Sequence, residues 1–382
     1  MSFLYDISSY LTTYLSNYYY NYNNNCNNKI DFNKYEKILE YIPKVTDKIQ
    51  AQNIMDEKIM ETISKFCKQL DNKKVLVSLS GGVDSMVLIT ILHWLDFEVV
   101  AAHINYNNRS ETIIEQKFLE QWCEYNNIKL YVKNINEVKR SNTKRSDYET
   151  ITKNMRLDFY KEIITNENID YVLLAHHKDD IIENVFANIC RGRNYLDLAV
   201  IREHTTISDI KIGRPMINYY KTVIYDFAHK YQVPYFLDTT PKWSVRGKYR
   251  DIISPAIEDA FTVNVKENLI SISNQADQWN SLIEKEIIRP FIEKIQINYI
   301  DNKYSIRFNC EKYIDYPLAF WSVVLMNLFN QFGSRAPSKK STQTFINTIK
   351  YRAGQNNSQE YNVTLCNNNK CTIRNFNVSI QF

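Results

Sequence analysis

Short apolar segments alternate with longer helical segments in the middle of the chain. Residues 74–79 are mostly apolar and rich in β-branched side chains, which is typical of a strand buried on both faces. Residues 86–95 are apolar along most of their length, which is typical of a helix packed on a sheet. The pattern predicts strands at 74–79, 97–103, 128–135, 170–175 and 234–237, and helices at 84–95, 110–126, 148–165, 179–190 and 219–231. Because strands that alternate with helices form parallel sheets with right-handed crossovers, we predict an α/β fold.

The regions before and after this alternation have different patterns. Residues 1–50 contain an Asn/Tyr-rich stretch at 18–25, and apolar spacing predicts helix over 34–70. After Pro255 the pattern predicts helices over 256–290, a hairpin at 293–309, helices at 311–331 and 340–352, and strands at 359–366 and 371–381. We therefore expect a low-complexity or helical N-terminal extension at 1–50, an α/β domain at 51–255, and a smaller, helix-rich α+β domain at 256–382.

Composition narrows the class of protein. A chain of 382 residues with 44% hydrophobic and 24% charged residues is globular and long enough for two or three domains. Its apolar runs are too short to span a bilayer, and its first residues lack the basic segment of a secretory signal, so we expect a cytoplasmic protein without membrane association. The seven cysteines are scattered without a Cys-x-x-Cys pair, which indicates reduced thiols. A net charge of +4 means that any nucleic acid would bind through local patches.

The turn between the first predicted strand and helix of the α/β domain reads Ser80-Gly81-Gly82-Val83-Asp84-Ser85. The whole chain has only seven glycines, so a Gly-Gly pair here is informative. Glycine lets the backbone approach a bulky anion, and the N–H groups and hydroxyls at a helix start favour one. Asp84 would repel a bare phosphate, which indicates a divalent cation between them. The alternative is an ordinary strand-to-helix turn with Ser80 as the N-cap. No Gly-Lys-Ser/Thr follows, so the turn is not a Walker A loop.

Histidines and acids gather at the ends of other predicted strands. His103 ends the second strand, and His176-His177 follows the strand at 170–175. Asp179, Asp180 and Glu183 begin the next helix, where three- and four-residue spacing makes them neighbours. Acids at a helix start are ordinary dipole partners. Because ligands bind at the carboxyl ends of parallel strands, this cluster also fits a site that holds Mg²⁺ on ATP or positions a nucleophile.

These motifs together resemble a known family. The Ser-Gly-Gly-Val-Asp-Ser turn resembles the PP-loop of ATP-pyrophosphatases that form adenylates. The stretch Ala175–Asn184 with Arg191-Gly192 resembles the second motif of the tRNA(Ile)-lysidine synthetase family, which usually shows Ala-His-His-x-Asp-Asp-Gln-x-Glu-Thr and then Arg-Gly. Further similar segments are His103–Tyr106 with Arg109, Arg214-Pro215-Met216, and Asp238–Arg250. The resemblance covers about residues 74–260 and implies a Rossmann-like PP-loop ATPase domain.

The chain departs from that pattern mainly in the segments that face the acceptor substrate. Ile181 and Asn184 stand where the family has Gln and Thr, and Tyr106 stands for a second His. Lys153 replaces an Arg, and Gly247 stands at an Arg-Asn position. The ATP-binding half is kept, so adenylation is the firmer expectation.

The resemblance implies a reaction in two steps. MgATP binds with its pyrophosphate end in the 80–85 loop, and the oxygen on carbon 2 of a wobble cytosine in tRNA attacks the α-phosphorus. The ε-amine of free L-lysine then displaces AMP and leaves lysidine. ATP, Mg²⁺, tRNA and lysine are the ligands that this reaction requires.

The motifs and the resemblance together suggest roles for individual residues. Nucleotide binding is expected of Ser80, Gly81, Gly82, Val83, Asp84, Ser85, His103 and Arg191. Catalysis is expected of Asp84, Asp180, Glu183 and His177, and Mg²⁺ ligation of Asp84 and Asp179. Asp179, Asp180 and Glu183 would order either the metal or the lysine amine. Either His176 or His177 would orient the ligand. Contact with tRNA or the acceptor substrate is expected of Arg156, Arg214, Asp238, Arg246 and Arg250.

Basic segments give a second, weaker signal for RNA. Lys139–Arg156 and Arg246–Arg250 are dense in cations, and Trp243 beside the latter is either a core residue or a stacking platform. The segment 338–352 makes the C-terminal domain a further candidate for tRNA contact. A solvated helix face is the alternative for each of them.

Other functions remain open from the sequence. They are a tRNA thiolase, for which paired cysteines are missing, a catalytically weakened RNA-binding module, and a small-molecule amidating enzyme without RNA affinity. A homodimer is one expectation for the assembly.

Overall fold

The protein is described from a computed structural model, which covers residues 30–43, 57–70, 72–107, 109–138, 142–198, 200–238, 240, 242–262, 264–300, 303–351, 359–366 and 369–382. The Asn/Tyr-rich stretch at 18–25 and the basic pair Lys139-Arg140 lie outside these residues. The chain divides into two compact units. The first comprises Met1–Ala187 and Val200–Ile270, and the second comprises Asn188–Ala199 and Ser271–Phe382. In the described ranges, no helix is both long enough and apolar enough to cross a bilayer.

A six-stranded sheet forms the centre of the first unit, in the order β4-β3-β2-β5-β7-β6. Its strands are β2 Lys74–Ser78, β3 Glu98–Asn105, β4 Lys129–Asn134, β5 Tyr171–Leu173, β6 His204–Ile207 and β7 Ile210–Gly213. Every pairing is parallel except that of β6 with β7 at the edge. The helices are α1 Lys58–Cys67, α2 Val83–Trp94, α3 Glu111–Tyr125, α4 Arg145–Glu167, α5 Lys178–Cys190 and α6 Lys221–Lys230. The predicted α/β fold with a parallel sheet is confirmed.

The central strand and the helix after it lie in the middle of the core. Val75, Leu76 and Val77 of the central strand β2 are completely buried. Their side chains alternate between the faces of the sheet, so Val75 and Val77 lie in one core cluster and Leu76 lies in another. All but one of the residues of α2 from Val83 to Ile91 are buried. Uniform burial explains why this helix shows no amphipathic pattern. The loop that joins β2 to α2 is thus fixed at both of its ends.

The sequence-based prediction of a helix over 34–70 is wrong for residues 34–43, and its residues 44–56 lie outside the described part of the chain. The structure has a short 3₁₀ turn at Phe32–Tyr35 and strand β1 at Leu39–Tyr41, while helix α1 covers Lys58–Cys67. Strand β1 pairs antiparallel with β8, Tyr235–Phe236. The predicted strand at 234–237 therefore exists, but it belongs to a separate two-stranded sheet.

The hairpin of β6 and β7 was not predicted from the sequence. Each of its strands has only four residues, and the turn between them holds Ser208 and Asp209 at positive φ. Segments this short carry little periodicity. The hairpin matters for the site, because β7 lies beside β5 and brings Arg214 next to the residues that follow β5.

The chain after β8 continues through short helices into the second unit. The segments are α7 Val245–Lys248, a π-helical turn Tyr249–Ile253, α8 Ser254–Phe261, α9 Val265–Ile283, a π-helical turn Glu284–Ile288, α10 Arg289–Ile292, α11 Leu318–Gln331 and α12 Lys339–Tyr351. The strands of the second unit are β9 Gln296–Ile300, β10 Lys303–Asn309, β11 Tyr361–Cys366, β12 Asn369–Arg374 and β13 Asn377–Gln381. They form one antiparallel sheet in the order β11-β12-β13-β10-β9. The single strand predicted at 371–381 is two strands, because Asn375 and Phe376 form a turn at positive φ.

Candidate active site

Gly81 takes a conformation in the loop that other residues adopt only with strain. Its φ is +84°, in the left-handed region. A Cβ atom at this position would lie 2.0 Å from the ring of Phe236. At Gly82 φ is −70°, and a Cβ atom would meet only the Ser80 hydroxyl, at 3.5 Å. The first glycine is therefore required by the fold, whereas the second leaves its Cα side open.

The hydroxyl of Ser85 organises the loop from inside. The backbone N–H groups of Ser80 and Gly81 each donate to Ser85 Oγ at 3.2 Å. The same hydroxyl donates to the carbonyl of Gly82 at 3.0 Å. Ser85 was expected to contact phosphate, and that role stays a prediction; its observed contacts hold the loop backbone in shape.

The start of α2 is suited to an anion. The N-cap residue is Gly82, which has no side chain to accept hydrogen bonds from the first N–H groups of the helix. Those N–H groups and the helix dipole favour a negative charge. Ser80, Gly82, Val83, Asp84 and Ser85 line a cavity of about 550 Å³ at this point. The loop thus has the chemistry of a phosphate site.

Asp84 is held between two cationic groups with one oxygen unsatisfied. Its Oδ2 lies 3.6 Å from Lys221 Nζ, and its Oδ1 lies 3.7 Å from His177 Nε2. In the described part of the chain, buried Oδ1 accepts no hydrogen bond. Burial raises the pKa of the Asp84 carboxyl, although Lys221 and His177 act in the opposite direction. An unsatisfied buried carboxylate oxygen is costly, and a bound cation would compensate for it.

The donor set fits Mg²⁺ only if phosphate completes the coordination. The ranges that the structure describes contain no group of three or more His, Cys, Asp or Glu arranged to hold a metal. Mg²⁺ is commonly bound through one or two carboxylates together with substrate phosphates. Asp84 fits that role. Asp179 uses Oδ2 to accept a hydrogen bond from the Lys221 backbone N–H at 2.8 Å, so it caps the start of α6, and its metal role stays a prediction.

His177 is buried at the centre of three carboxylates. Its ring lies 3.4 Å from Asp179 Oδ2 and 3.4 Å from Asp180 Oδ2, in addition to the contact with Asp84. Burial favours the neutral imidazole, but these carboxylates outweigh it and raise the pKa of His177. His177 is not among the residues that line the 550 Å³ cavity, whereas its neighbour His176 is.

Two arginines from the α7 region hold the acids of α5. Arg246 Nε donates to Glu183 at 2.7 Å, and Arg250 Nε donates to the other Glu183 oxygen at 3.1 Å. Arg250 also donates to Asp180 Oδ1 at 3.3 Å, and its Nη1 lies 3.8 Å from Asp238 Oδ2. Burial acts to raise the pKa of Asp180, but His177, His176 and Arg246 together hold it below its usual value. Five residues predicted as site residues are therefore in one ion-pair cluster.

The structure separates the remaining predicted residues into distinct places. Arg156 lines the 550 Å³ cavity together with Arg109. His103 is buried, and its Nδ1 donates to the Leu79 carbonyl at 2.9 Å, so it joins the ends of β2 and β3 and does not line the cavity. Arg191 is exposed just after the end of α5.

Two further predicted candidates have clear positions. Arg214 is buried, with 5% of its surface exposed, and donates to His176 Nδ1 at 2.9 Å. Its proposed contact with the acceptor substrate stays a prediction, and its observed contacts are with protein. Trp243 is 64% exposed, so it is not a core residue.

Lys221 is a site residue that the sequence did not reveal. It begins α6 and lies beside Asp84, and it lines the cavity with the loop. A lysine at a helix start has no motif of its own. Only the packing of α6 against α2 brings it to the loop, so local sequence carried no signal.

Comparison with known proteins agrees with this geometry. A model of the PP-loop domain family matches residues 55–253. The tRNA(Ile)-lysidine synthase of Enterococcus faecalis is 25% identical over 231 residues, which are 59% of this chain and 49% of that protein. The tRNA(Ile)-lysidine synthase of Mesoplasma florum is 31% identical over 195 residues, 50% of this chain and 48% of that protein. The chain thus spans about half the length of these curated relatives.

Among solved structures, the U34-tRNA thiolase NcsA of Methanococcus maripaludis with its [4Fe-4S] cluster is similar. It matches with a TM-score of 0.48 and 16% identity, over 60% of this chain and 81% of that chain.

The two loop glycines should respond differently to alanine. Gly82→Ala should cost at most about 1 kcal/mol in the free energy of unfolding, but the added methyl should hinder phosphate approach and impair ATP–pyrophosphate exchange measured with tRNA. Gly81→Ala should cost roughly 2–4 kcal/mol, because left-handed strain adds to the clash with Phe236. Urea unfolding and exchange assays measure the two effects. Normal exchange in Gly82→Ala would contradict the phosphate assignment.

Proposed function

Since this chain belongs to the PP-loop domain family, whose members bind ATP, we propose that it adenylates carbon 2 of a wobble cytidine in tRNA and replaces AMP with lysine to form lysidine. The observation that carries the proposal is the anion-binding loop with Asp84, which shares one cavity with Asp180, Arg246 and Arg250. The relatives named tRNA(Ile)-lysidine synthase support the choice of reaction. A cytoplasmic location and a homodimer stay predictions.

In the first step, the loop would bind the pyrophosphate end of ATP. Asp84 would hold Mg²⁺, which supplies charge neutralisation at the phosphates when bound. Lys221, Arg109 and Arg156 line the same cavity and add fixed positive charge. The cytosine oxygen then attacks the α-phosphorus, and the bond to pyrophosphate breaks. The protein contributes in-line positioning and electrostatic stabilisation.

In the second step, a smaller cavity of about 260 Å³ is the proposed lysine pocket. It shares Lys221, Asp238 and Arg250 with the larger cavity, and Asp179 and Glu183 also line it. An amino acid needs both charges there: cations for its carboxylate and acids for its ammonium groups. The ε-ammonium must lose a proton before it attacks, since its reference pKa is about 10.4.

The Glu183 carboxylate, one of the residues expected to be catalytic, would bind the ammonium and accept or relay that proton. It is already paired with Arg246 and Arg250, so lysine would have to share it or displace one of the arginines. Asp238 is held less tightly by cations: its Oδ2 lies 3.8 Å from Arg250 Nη1, and its Oδ1 accepts a hydrogen bond from the Thr240 N–H at 2.9 Å. We therefore place Asp238 beside Glu183 as a candidate for binding the ammonium.

Nucleoside mass spectrometry tests the reaction itself. Bulk tRNA incubated with the protein, ATP and L-lysine should yield lysidine, and omission of either small substrate should abolish it. A second incubation with isotopically labelled lysine should shift the product mass by the label. A different modified nucleoside, or none, would contradict the proposed acceptor chemistry.

Variants of two acids should separate the half-reactions. Asp84→Asn should abolish both pyrophosphate release and product, because the loop loses its metal ligand. Glu183→Gln should still release pyrophosphate but form product slowly, with a raised KM for lysine. Single-turnover assays that follow pyrophosphate and modified tRNA in parallel make the measurement. If Glu183→Gln lost pyrophosphate release as fully as Asp84→Asn, Glu183 would belong to the first step.

The sheet of the second unit offers a surface for the tRNA backbone. One face of it packs on the core through Ile306, Ile373 and Ile380. Polar strand residues of opposite parity, together with neighbouring segments, line a depression of about 1130 Å³. The cations that line it are Lys294, Arg307, Lys312, Lys370 and Arg374. Only Glu311 and Glu360 are acidic among its lining residues. Excess positive charge among hydrogen-bonding side chains is the chemistry that recognises phosphates.

Salt dependence should reveal these contacts. If the sheet face binds phosphates, tRNA affinity should fall steeply as the salt concentration rises. Arg307→Gln and Lys370→Gln should each reduce the slope of log affinity against log salt concentration by about one. Lys65→Gln, an exposed lysine paired with Glu61 on α1, is the matched control and should leave the slope unchanged. Filter binding across a salt series gives the slopes. Equal slopes in all variants would place the tRNA surface elsewhere, and no affinity at all would favour a small-molecule acceptor.

A further inference from the structure

His176 is the histidine of the pair that faces the cavity. It follows β5 by three residues, at the carboxyl edge of the sheet, and lines the 550 Å³ cavity with the phosphate loop. The adjacent His177 is 1% exposed and lies among carboxylates instead. An imidazole in a nucleotide cavity can act as a donor or as an acceptor, and its tautomer decides which.

The contact with Arg214 fixes that tautomer. Arg214 Nε lies 2.9 Å from His176 Nδ1 and donates to it. A guanidinium has only donors, so Nδ1 must be the unprotonated, accepting nitrogen of the ring. The single proton of the neutral imidazole is then on Nε2. His176 can therefore donate from Nε2 and cannot accept a proton there.

Arg214 is itself held rigidly. It directly follows β7, whose Gly213 is in register with Leu173 of β5. Its Nη1 donates to the Arg202 carbonyl at 2.7 Å and to Thr205 Oγ1 at 2.9 Å. Because the guanidinium is buried and fixed by the β6–β7 hairpin, it acts on ligands only through His176.

We propose that Arg214 is a positioning residue that holds His176 as the Nε2–H tautomer, so that His176 donates a hydrogen bond to a phosphate oxygen of the nucleotide. The proposal rests on ATP binding in the cavity, as in the proposed function. It assigns to His176 the ligand-orienting role that the sequence left open between His176 and His177. It also means that the proton of the incoming amine goes to another group, such as Glu183 or Asp238.

The electrostatic surroundings agree with a neutral ring. Burial lowers the pKa of His176 to about 4, and Arg214, Arg246 and Arg156 act in the same direction against Asp180. A neutral donor at this position stabilises negative charge that develops on the phosphoryl oxygens.

Nitrogen-15 NMR of the histidine side chains tests the tautomer directly, without ligand. The spectrum of the wild-type protein should show His176 protonated on Nε2. His103 is an internal control with the opposite tautomer, because its Nδ1 carries the proton and donates to the Leu79 carbonyl. Arg214→Met should convert His176 to a mixture of tautomers and leave His103 unchanged. His176 protonated on Nδ1 in the wild-type protein would overturn the proposal.

Kinetics test what the tautomer does. His176→Gln, which keeps an amide donor near the Nε2 position, should retain most of the rate of pyrophosphate release, whereas His176→Asn should lose about 10²-fold in kcat. Arg214→Met should lower kcat with little change in KM for ATP. Arg193→Met, an exposed arginine paired with Asp197, is the control and should match the wild type. Equal loss in the Gln and Asn variants, or unchanged kcat in Arg214→Met, would overturn the role.

These measurements separate the inference from the proposed function. If tRNA were modified with a group other than lysine, the tautomer of His176 would be unaffected. His176→Gln would still release pyrophosphate faster than His176→Asn. If the tautomer were wrong while lysidine formed normally, only the present inference would fail. Arg214→Lys provides a second variant should Arg214→Met fold poorly, and its ammonium, which like the guanidinium has only donors, should restore part of the Nε2–H population.

Discussion

Burial of negative charge at the carboxyl edge of the parallel sheet is the constraint on which the site depends. Asp84, Asp179 and Asp180 all lie within 4 Å of the buried His177. Removing carboxylates from water costs several kcal/mol each unless cations and hydrogen bonds compensate. The imidazole, with its raised pKa, supplies part of that compensation and joins the start of α2 to the start of α5.

The remaining compensation comes from residues far along the chain. Lys221, Arg246 and Arg250 reach the acids from α6 and the helices after β8. Charge compensation of Asp84 and of the acids of α5 therefore depends on Lys221, Arg246 and Arg250 being packed against them. Phosphate binding at the loop would bring further negative charge to these cations. Nucleotide binding and the packing of this segment are in that sense linked through one set of charges.

How well each part of the structure could be predicted depends on how far apart in the sequence its interacting residues lie. Strand β2, the loop and α2 were predictable because apolar periodicity and a Gly-Gly pair are local signals. The β1–β8 pairing and the β6–β7 hairpin were not, since strands of two to four residues are fixed by tertiary pairing. The choice between His176 and His177 was also beyond the sequence. Adjacent residues in a loop differ only in what they face, and that depends on Arg214 and on the acids of α5.

The small β1–β8 sheet has a larger role in the site than its size indicates. The Phe236 backbone N–H donates to the Gly81 carbonyl at 2.9 Å, and the Phe236 ring occupies the place where a Cβ atom of residue 81 would be. The ring is held in turn by an edge contact with Phe118 of α3. The loop conformation is thus set from behind by β8, while Ser85 sets it from within. Glycine at position 81 follows from this close packing, whereas packing leaves the Cα side of Gly82 open, and only the proposed phosphate site accounts for glycine there.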